Sequence, residues 1–248
     1  MPFEGRFTAC ISSQAGCAMN CKFCATGQMG FRRNLTSDEI FEQVVVFQRI
    51  LSPDYRISNV VFMGMGEPFA NYKNVMKACA KITSALNIGQ RHITISTVGI
   101  VPKILRFAQE KFQYKLAISL HNPFTEERKQ IVPITKKYSV EDLFEACYSY
   151  CRQTNRRITF EYCLIPGIND HEEHARKLAS LLTPIKLLYH INLIALNATP
   201  KFKVNSKDVD VSVKKFTAFL NKFYVNNVTV RSKRGIDIAA GCGQLGAD

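Results

Sequence analysis

The chain predicts an α/β fold, a full or partial parallel (β/α) barrel. Three observations point there: short apolar runs alternate with stretches of helical periodicity, most of those runs are continuously apolar, and no linker, internal repeat or low-complexity segment divides the sequence. Strands of this kind pair in parallel and are joined by helices that cross over the sheet. A length of 248 residues with 46% hydrophobic content suits one such domain, so we read residues 1–248 as a single domain.

In order, the first strand-like run is Phe7 to Ser12, followed by a loop holding Cys17, Cys21 and Cys24. Thr36-Ser37-Asp38-Glu39 has the pattern of a capping box, and Ile40, Val44, Phe47 and Leu51 then share one helical face. The run Val60 to Met63 leads into a glycine-rich corner, Gly64-Met65-Gly66-Glu67-Pro68, and a helix with Val75, Cys79, Ile82 and Leu86 on one stripe. Next come a strand at His92 to Thr97, a short helix opened by Pro102, a strand at Lys115 to Leu120, and a helix from about Ser139 to Arg152. In that helix Val140, Phe144, Cys147 and Cys151 share a face, which makes both cysteines core residues rather than metal ligands. The remaining elements are a strand at Arg157 to Leu164, a helix from about Glu172 to Leu182, a strand at Leu188 to Ile194, a helix turning Val213, Phe216, Leu220 and Phe223 inward, and a strand at Val228 to Arg231. His171 and His174 fall in the first turn of their helix and read as exposed, without a metal role.

No apolar run approaches the ~18 residues that span a bilayer, and Met1-Pro2-Phe3-Glu4 has no signal or transit character, so the chain reads as soluble and cytoplasmic, with no membrane partner. Nine cysteines, clustered in one place and otherwise scattered, suit a reducing compartment rather than a disulfide framework. Lys plus Arg number 33 against 20 Asp plus Glu, and the resulting +13 is the footprint of a phosphate-rich partner, with nucleic acid leading. The basic residues come in local groups: Arg32-Arg33, Arg128-Lys129 with Lys136-Lys137, Arg152 with Arg156-Arg157, Lys201 to Lys207, and Arg231 to Arg234. Any single group reads equally as a solvated face.

The loop Cys17-x3-Cys21-x2-Cys24 gathers three soft thiolate ligands. A structural zinc site needs four protein ligands, whereas an iron–sulfur cubane held by three cysteines keeps one iron open for another molecule. Zinc is the alternative, with Cys10 or Cys242 completing a tetrahedron. The other polar signals fall on loops at strand C-termini, which converge over one mouth of a parallel barrel. Glu67 follows the second strand, Ser96 closes the third, Ser119 and His121 end the fourth, Asn197 follows the sixth, and Cys242 lies between two glycines after the seventh. Each has a plainer reading: a tight turn for Gly66-Glu67, strand-end hydroxyls for Ser96 and Ser119, turn residues for His121 and Asn197, and a buried strand residue for Cys10. The functional reading gives Glu67 and nearby carbonyls an ammonium group to accept from, and makes Cys242 an accessible nucleophilic thiol.

Together, Cys17-x3-Cys21-x2-Cys24, Gly64-Met65-Gly66-Glu67-Pro68 and Gly241-Cys242-Gly243-Gln244-Leu245 resemble the radical S-adenosylmethionine RNA adenine methyltransferases, the RlmN/Cfr family. The cysteine spacing alone matches only the superfamily; Cys10-Ile11-Ser12-Ser13-Gln14, Phe31-x-Arg33-Asn34-Leu35, Ser119-Leu120-His121 and Ile131-Val132-Pro133-Ile134 make the match specific along nearly the whole chain. The resemblance implies a partial parallel (β/α)6 barrel of the radical SAM type with an extra C-terminal strand, a [4Fe-4S] cluster on Cys17, Cys21 and Cys24, and S-adenosylmethionine held by the open iron and by Gly66, Glu67, Ser96, Ser119, Leu120, His121 and Asn197. It further implies that Cys242 takes a methyl group, that a radical converts this to a methylene adding to an adenine ring carbon, and that Cys10 assists proton removal and forms a disulfide with Cys242 to release product. The implied substrates are adenosines of large-subunit (23S-type) ribosomal RNA and of tRNA, with an electron donor such as flavodoxin or ferredoxin and a monomeric enzyme. Carbon 2 is expected rather than carbon 8, because Ala15 stands where the C8 enzymes are associated with a further cysteine. The sequence departs from the family in starting nine residues before Cys10, without the N-terminal helical RNA-binding domain and an upstream glutamate, in ending six residues after Cys242, and at Ala198-Thr199-Pro200.

Overall fold

The computed structural model describes residues 2–3, 6–186, 188–199, 202–231 and 241–246. Pro200, Lys201 and residues 232–234, which the sequence reading placed in a loop and in basic groups, lie outside them.

One eight-stranded sheet organises the chain in the order β1-β2-β5-β6-β7-β8-β9-β10. Its strands are β1 (Pro2–Phe3), β2 (Arg6–Cys10), β5 (Ile57–Phe62), β6 (Ile93–Thr97), β7 (Lys115–Ser119), β8 (Ile158–Leu164), β9 (Tyr189–Ala195) and β10 (Val228–Arg231). Only β1 runs antiparallel, against β2; every other neighbouring pair is parallel, which makes the seven-strand half barrel that the sequence predicts. A second sheet was not foreseen: β3 (Gln14–Gly16) pairs antiparallel with β4 (Phe31–Asn34) and closes the base of the cysteine loop.

The crossovers are α2 (Ser37–Ile50), α3 (Tyr72–Leu86), α4 (Val101–Gln109), α6 (Val140–Thr154), α7 (Glu172–Leu182) and α8 (Ser206–Lys222), with short α1 (Ala25–Met29) and α5 (Thr125–Ile131) added in loops the sequence left without helices. The Thr36/Glu39 capping box forms, each side chain bonding the other's backbone N–H, and so starts α2 where its first orphan donors need partners. Of the expected inward face of α2, Ile40 and Val44 are buried, but Phe47 is 40% exposed, and in the last turn it is the side chain of Gln48 that meets β5, accepting from Ile57 N–H at 2.9 Å. Cys79, Cys147 and Cys151 are core residues, as their stripes predict. His174 is not exposed: its ring is buried and its Nε2 sits 2.7 Å from Glu127 Oε2.

Helices cover the outer face of the sheet, where Phe144 of α6 stacks on Phe160 of β8 at 5.2 Å and Tyr162 on Phe216 of α8 at 5.0 Å. Each such ring removed from water contributes roughly 1.5–3 kcal/mol. The inner face differs from the expectation of uniformly apolar strands. Arg6, Thr8 and Cys10 alternate into it from β2, Asn59 and Val61 from β5, Asn192 and Ile194 from β9, and Thr229 and Arg231 from β10, together lining a cavity of about 750 Å³. An open half barrel leaves this concave face to a ligand, so polar residues persist there. Among the described residues no helix is long and apolar enough to cross a membrane.

Candidate active site

The cysteine loop is anchored at every stage. Cys17 N–H donates to Gly30 C=O at 2.9 Å beside the β3–β4 pair, Lys22 N–H to Ile131 C=O of α5 at 3.0 Å, and Cys24 N–H to Cys21 C=O at 3.1 Å. All three cysteines are half-buried and free. Burial pushes the Cys17 thiol up to about 11 and Cys21 still higher, and the negative charge each would carry as a thiolate opposes ionisation of its neighbours. Uncompensated thiolates are costly here, which is the setting in which iron stabilises them. Among the described residues no three His, Cys, Asp or Glu side chains converge as the ligands of one ion would. Three cysteines leave one corner of a [4Fe-4S] cluster open, whereas a closed zinc tetrahedron needs a fourth protein ligand.

The corner after β5 is held against the segment that launches this loop. Met65 C=O accepts from Ser13 and Gln14 N–H, and Gln14 Oε1 accepts from Glu67 N–H at 2.8 Å. Gly66 has φ +96°, and a Cβ there would lie 2.5 Å from Gln14 Cβ, so glycine is required by the chain's own close packing rather than by a ligand alone. Glu67 is buried, and its two carboxylate oxygens accept from the backbone N–H groups of Phe69 at 2.9 Å and Val98 at 2.8 Å. Burial pushes it up to about 7. The acid expected to meet an ammonium group thus fastens the β5 corner to the β6 loop.

Ser96 and Ser119 bring their hydroxyls within 3.4 Å at the ends of β6 and β7. Leu120 turns a wholly buried side chain into the core, while its C=O accepts from Arg128 Nε at 2.8 Å. His121, at φ +60°, is also buried; its Nδ1 accepts from Cys163 N–H at 3.0 Å and its ring meets Phe23 of the cysteine loop edge-on at 4.8 Å. Burial, with Arg128 nearby, lowers it to about 3, so the ring is neutral and carries its proton on Nε2. Leu120 and His121 therefore shape the site by supporting its walls.

Asn197 and Cys242 come together: Asn197 Nδ2 donates to Cys242 C=O at 3.1 Å. The C-terminal segment lies along α1, with Ala25 N–H donating to Gly243 C=O at 2.8 Å and Thr26 Oγ1 to Leu245 C=O at 2.7 Å. Cys242 is exposed, and it lines the 750 Å³ cavity with Cys10 and Cys24. Cys10 is half-buried; burial and the nearby Cys242 push its thiol up to about 11, against the pull of Arg231.

Two buried charges escaped the sequence reading. Arg128, expected in a surface basic group, is 1% exposed and donates to the carbonyls of Leu120, Val98 and Ser119 and to Thr135 Oγ1 at 2.7–2.9 Å. Glu161 sits inside the half barrel and bonds Asn192 and Arg231. The signal for Glu161 was present: an acid between Phe160 and Tyr162 in an otherwise apolar strand.

A half barrel whose first parallel strand feeds a three-cysteine loop defines the radical SAM class of enzyme, and a profile described as the Radical SAM superfamily matches residues 11–179. Within that class, the chain belongs to the RlmN family of radical SAM RNA methyltransferases. It is 48% identical to the "Probable dual-specificity RNA methyltransferase RlmN" of Dictyoglomus thermophilum, over 98% of this chain and 70% of the relative, and 48% identical to that of Clostridium perfringens strain SM101, over 99% and 70%. The crystal structure of a radical SAM methyltransferase from Sphaerobacter thermophilus superposes with a TM-score of 0.92 at 44% identity, covering 100% of this chain and 72% of that one. A spore photoproduct lyase, 13% identical with a TM-score of 0.63 over 89% of this chain and 75% of that one, shares the fold alone. Family membership makes S-adenosylmethionine and an iron–sulfur cluster the cofactors.

Proposed function

We propose that the chain methylates carbon 2 of adenosine in ribosomal RNA and tRNA, with residues 1–248 forming one catalytic domain. The observation that carries this reading is the placement of Cys242 beside the cysteine loop and in one cavity with Cys10. Cys17, Cys21 and Cys24 are assigned a [4Fe-4S] cluster, and Gly66, Glu67, Ser96, Ser119 and Asn197 a place around S-adenosylmethionine, with Leu120 and His121 behind them as its walls. When bound, these groups supply an electrophilic methyl group and a carbon radical.

The chain's own residues supply the carrier and its release. Carbon 2 of adenine is a poor nucleophile, whereas a thiolate accepts a methyl group readily, so Cys242 receives it first. Asn197 and Ala25 fix the backbone at Cys242 and at the residue after it, and the thiol is exposed at the cavity. After the carbon bonds to adenine, the RNA is tied to Cys242 through a thioether. Cys10 attacks the Cys242 sulfur, forms a disulfide and frees the methylated base; a dithiol reductant reopens the disulfide. The substrate adenosine enters unstacked, which suits loops rather than regular duplex. A one-electron donor of the flavodoxin or ferredoxin kind serves the cluster.

The test is peptide mass spectrometry of anaerobically loaded enzyme incubated with S-adenosylmethionine and no RNA. One added methyl on Cys242 is expected; a methyl on another residue, or none, overturns the carrier role.

A further inference from the structure

Glu161, inside the half barrel at 3% exposure, takes part in no step described above. Its Oε1 accepts from Asn192 Nδ2 of β9 at 2.9 Å, and its Oε2 from Arg231 Nη1 of β10 at 3.3 Å. The same Arg231 nitrogen lies 3.5 Å from Met63 Sδ, on the loop after β5. Met63 shares the cavity wall with Cys10, at the end of β2, and its backbone favours the Cys10 thiolate. Thus a guanidinium from the last parallel strand and a thiol from the first meet at one residue, across the open side of the half barrel. Cys10, Met63, Arg231 and Cys242 line one cavity.

An ion pair removed from water is weak evidence for stability, since apolar residues of similar volume often do as well or better. The arrangement is better explained by where it puts positive charge. Asn192 holds Glu161, Glu161 holds Arg231, and Arg231 lines the cavity with the two thiols, near enough for its charge to act on both.

We propose that Arg231, held by Glu161, which Asn192 holds in turn, is a positioning residue that stabilises Cys10 as a thiolate facing Cys242. The proposal rests on the two-cysteine reading above. In the step it serves, the Cys10 thiolate, its proton already lost to solvent, attacks the Cys242 sulfur of the thioether. The S–S bond forms as the S–CH2 bond breaks; the electron pair leaves on the carbon, which takes one proton to become methyl. The two sulfurs lose the two electrons that the carbon gains.

The charges around Cys10 agree. Burial and Cys242 raise its thiol to about 11, and Arg231 draws it down; Arg6 of the same strand lines the same cavity, with Glu161 behind Arg231. Without Arg231, burial and Cys242 act unopposed by that cation.

The test is the rate of iodoacetamide alkylation of Cys10 in the full chain, mapped by peptide mass spectrometry across pH 6 to 10. Arg231→Gln is expected to slow alkylation about tenfold at neutral pH and to move the profile up by about one unit, with Arg231→Lys restoring most of the rate. A structural role alone would not move the pH profile. Arg231→Met, neutral but bulky, replaces the glutamine variant if that one does not fold. An unchanged Cys10 profile in the neutral variant overturns the proposal. Mild oxidation of the wild-type chain with diamide separates this from the underlying reading: a Cys10–Cys242 disulfide supports the two-cysteine mechanism whatever Arg231 does, and its failure to form counts against both.

Discussion

Cys242 is presented by its neighbours rather than by any regular element: Asn197 and Ala25 hold the backbone around it through 3.1 and 2.8 Å hydrogen bonds. Cys242→Ala should therefore keep the fold, the iron content and reductive cleavage of S-adenosylmethionine, while RNA methylation falls by at least about a thousandfold, as expected when a covalent nucleophile is removed. Arg128 behaves differently. Its guanidinium satisfies the Leu120, Val98 and Ser119 carbonyls, and Arg128→Met strands them in the core. At about 1–3 kcal/mol for an unsatisfied buried group, the variant should lose several kcal/mol in urea unfolding; a midpoint close to wild type would contradict the clamp. The cysteines were legible because their spacing is itself the chemistry. Arg128 and Glu161 were not, because a lone charge in a sequence reads as solvated until the fold shows what surrounds it.

At the scale of elements, the parallel strands and six crossover helices could be read from hydrophobic periodicity, with ends displaced by up to three residues, as at β5, which starts at Ile57 rather than Val60. Helices α1 and α5 could not: at five and seven residues they are too short for a periodic stripe, and tertiary bonds hold them, Ala25 to Gly243 and Lys22 to Ile131. The β3–β4 pair escaped for the same reason, with only three and four residues per strand. The turn after β7 gives a pH prediction. His121 is held neutral, with burial lowering it to about 3 from 6.5. Between those values the unfolded chain binds a proton that the folded chain does not, so stability falls as pH drops from 6.5 toward 3. Urea midpoints across that window should decline in wild type and decline less in His121→Asn. At the β5 corner, Gly66→Ala forces a side chain into positive φ and against Gln14, and should cost about 1–3 kcal/mol.

The whole molecule presents a half barrel whose inner face holds the thiols and whose formal charge is +13. That charge is not one patch: Arg33 pairs with Glu39 at 2.8 Å, Lys129 with Glu126 at 2.5 Å, and Arg128 and Arg231 turn inward. RNA affinity then comes from the summed field, and should weaken at least about tenfold between 50 and 200 mM salt; a flat salt dependence would remove the charge from the account. Charge total was readable from composition, but its distribution depends on which cations the fold buries or pairs. The central claim, that Cys242 delivers a methyl group to carbon 2 of adenine, is tested most directly by mass analysis of RNA nucleosides after anaerobic reaction. The account predicts 2-methyladenosine with the wild-type chain. 8-Methyladenosine, or adenosine left unmodified by loaded and reduced enzyme, would contradict it.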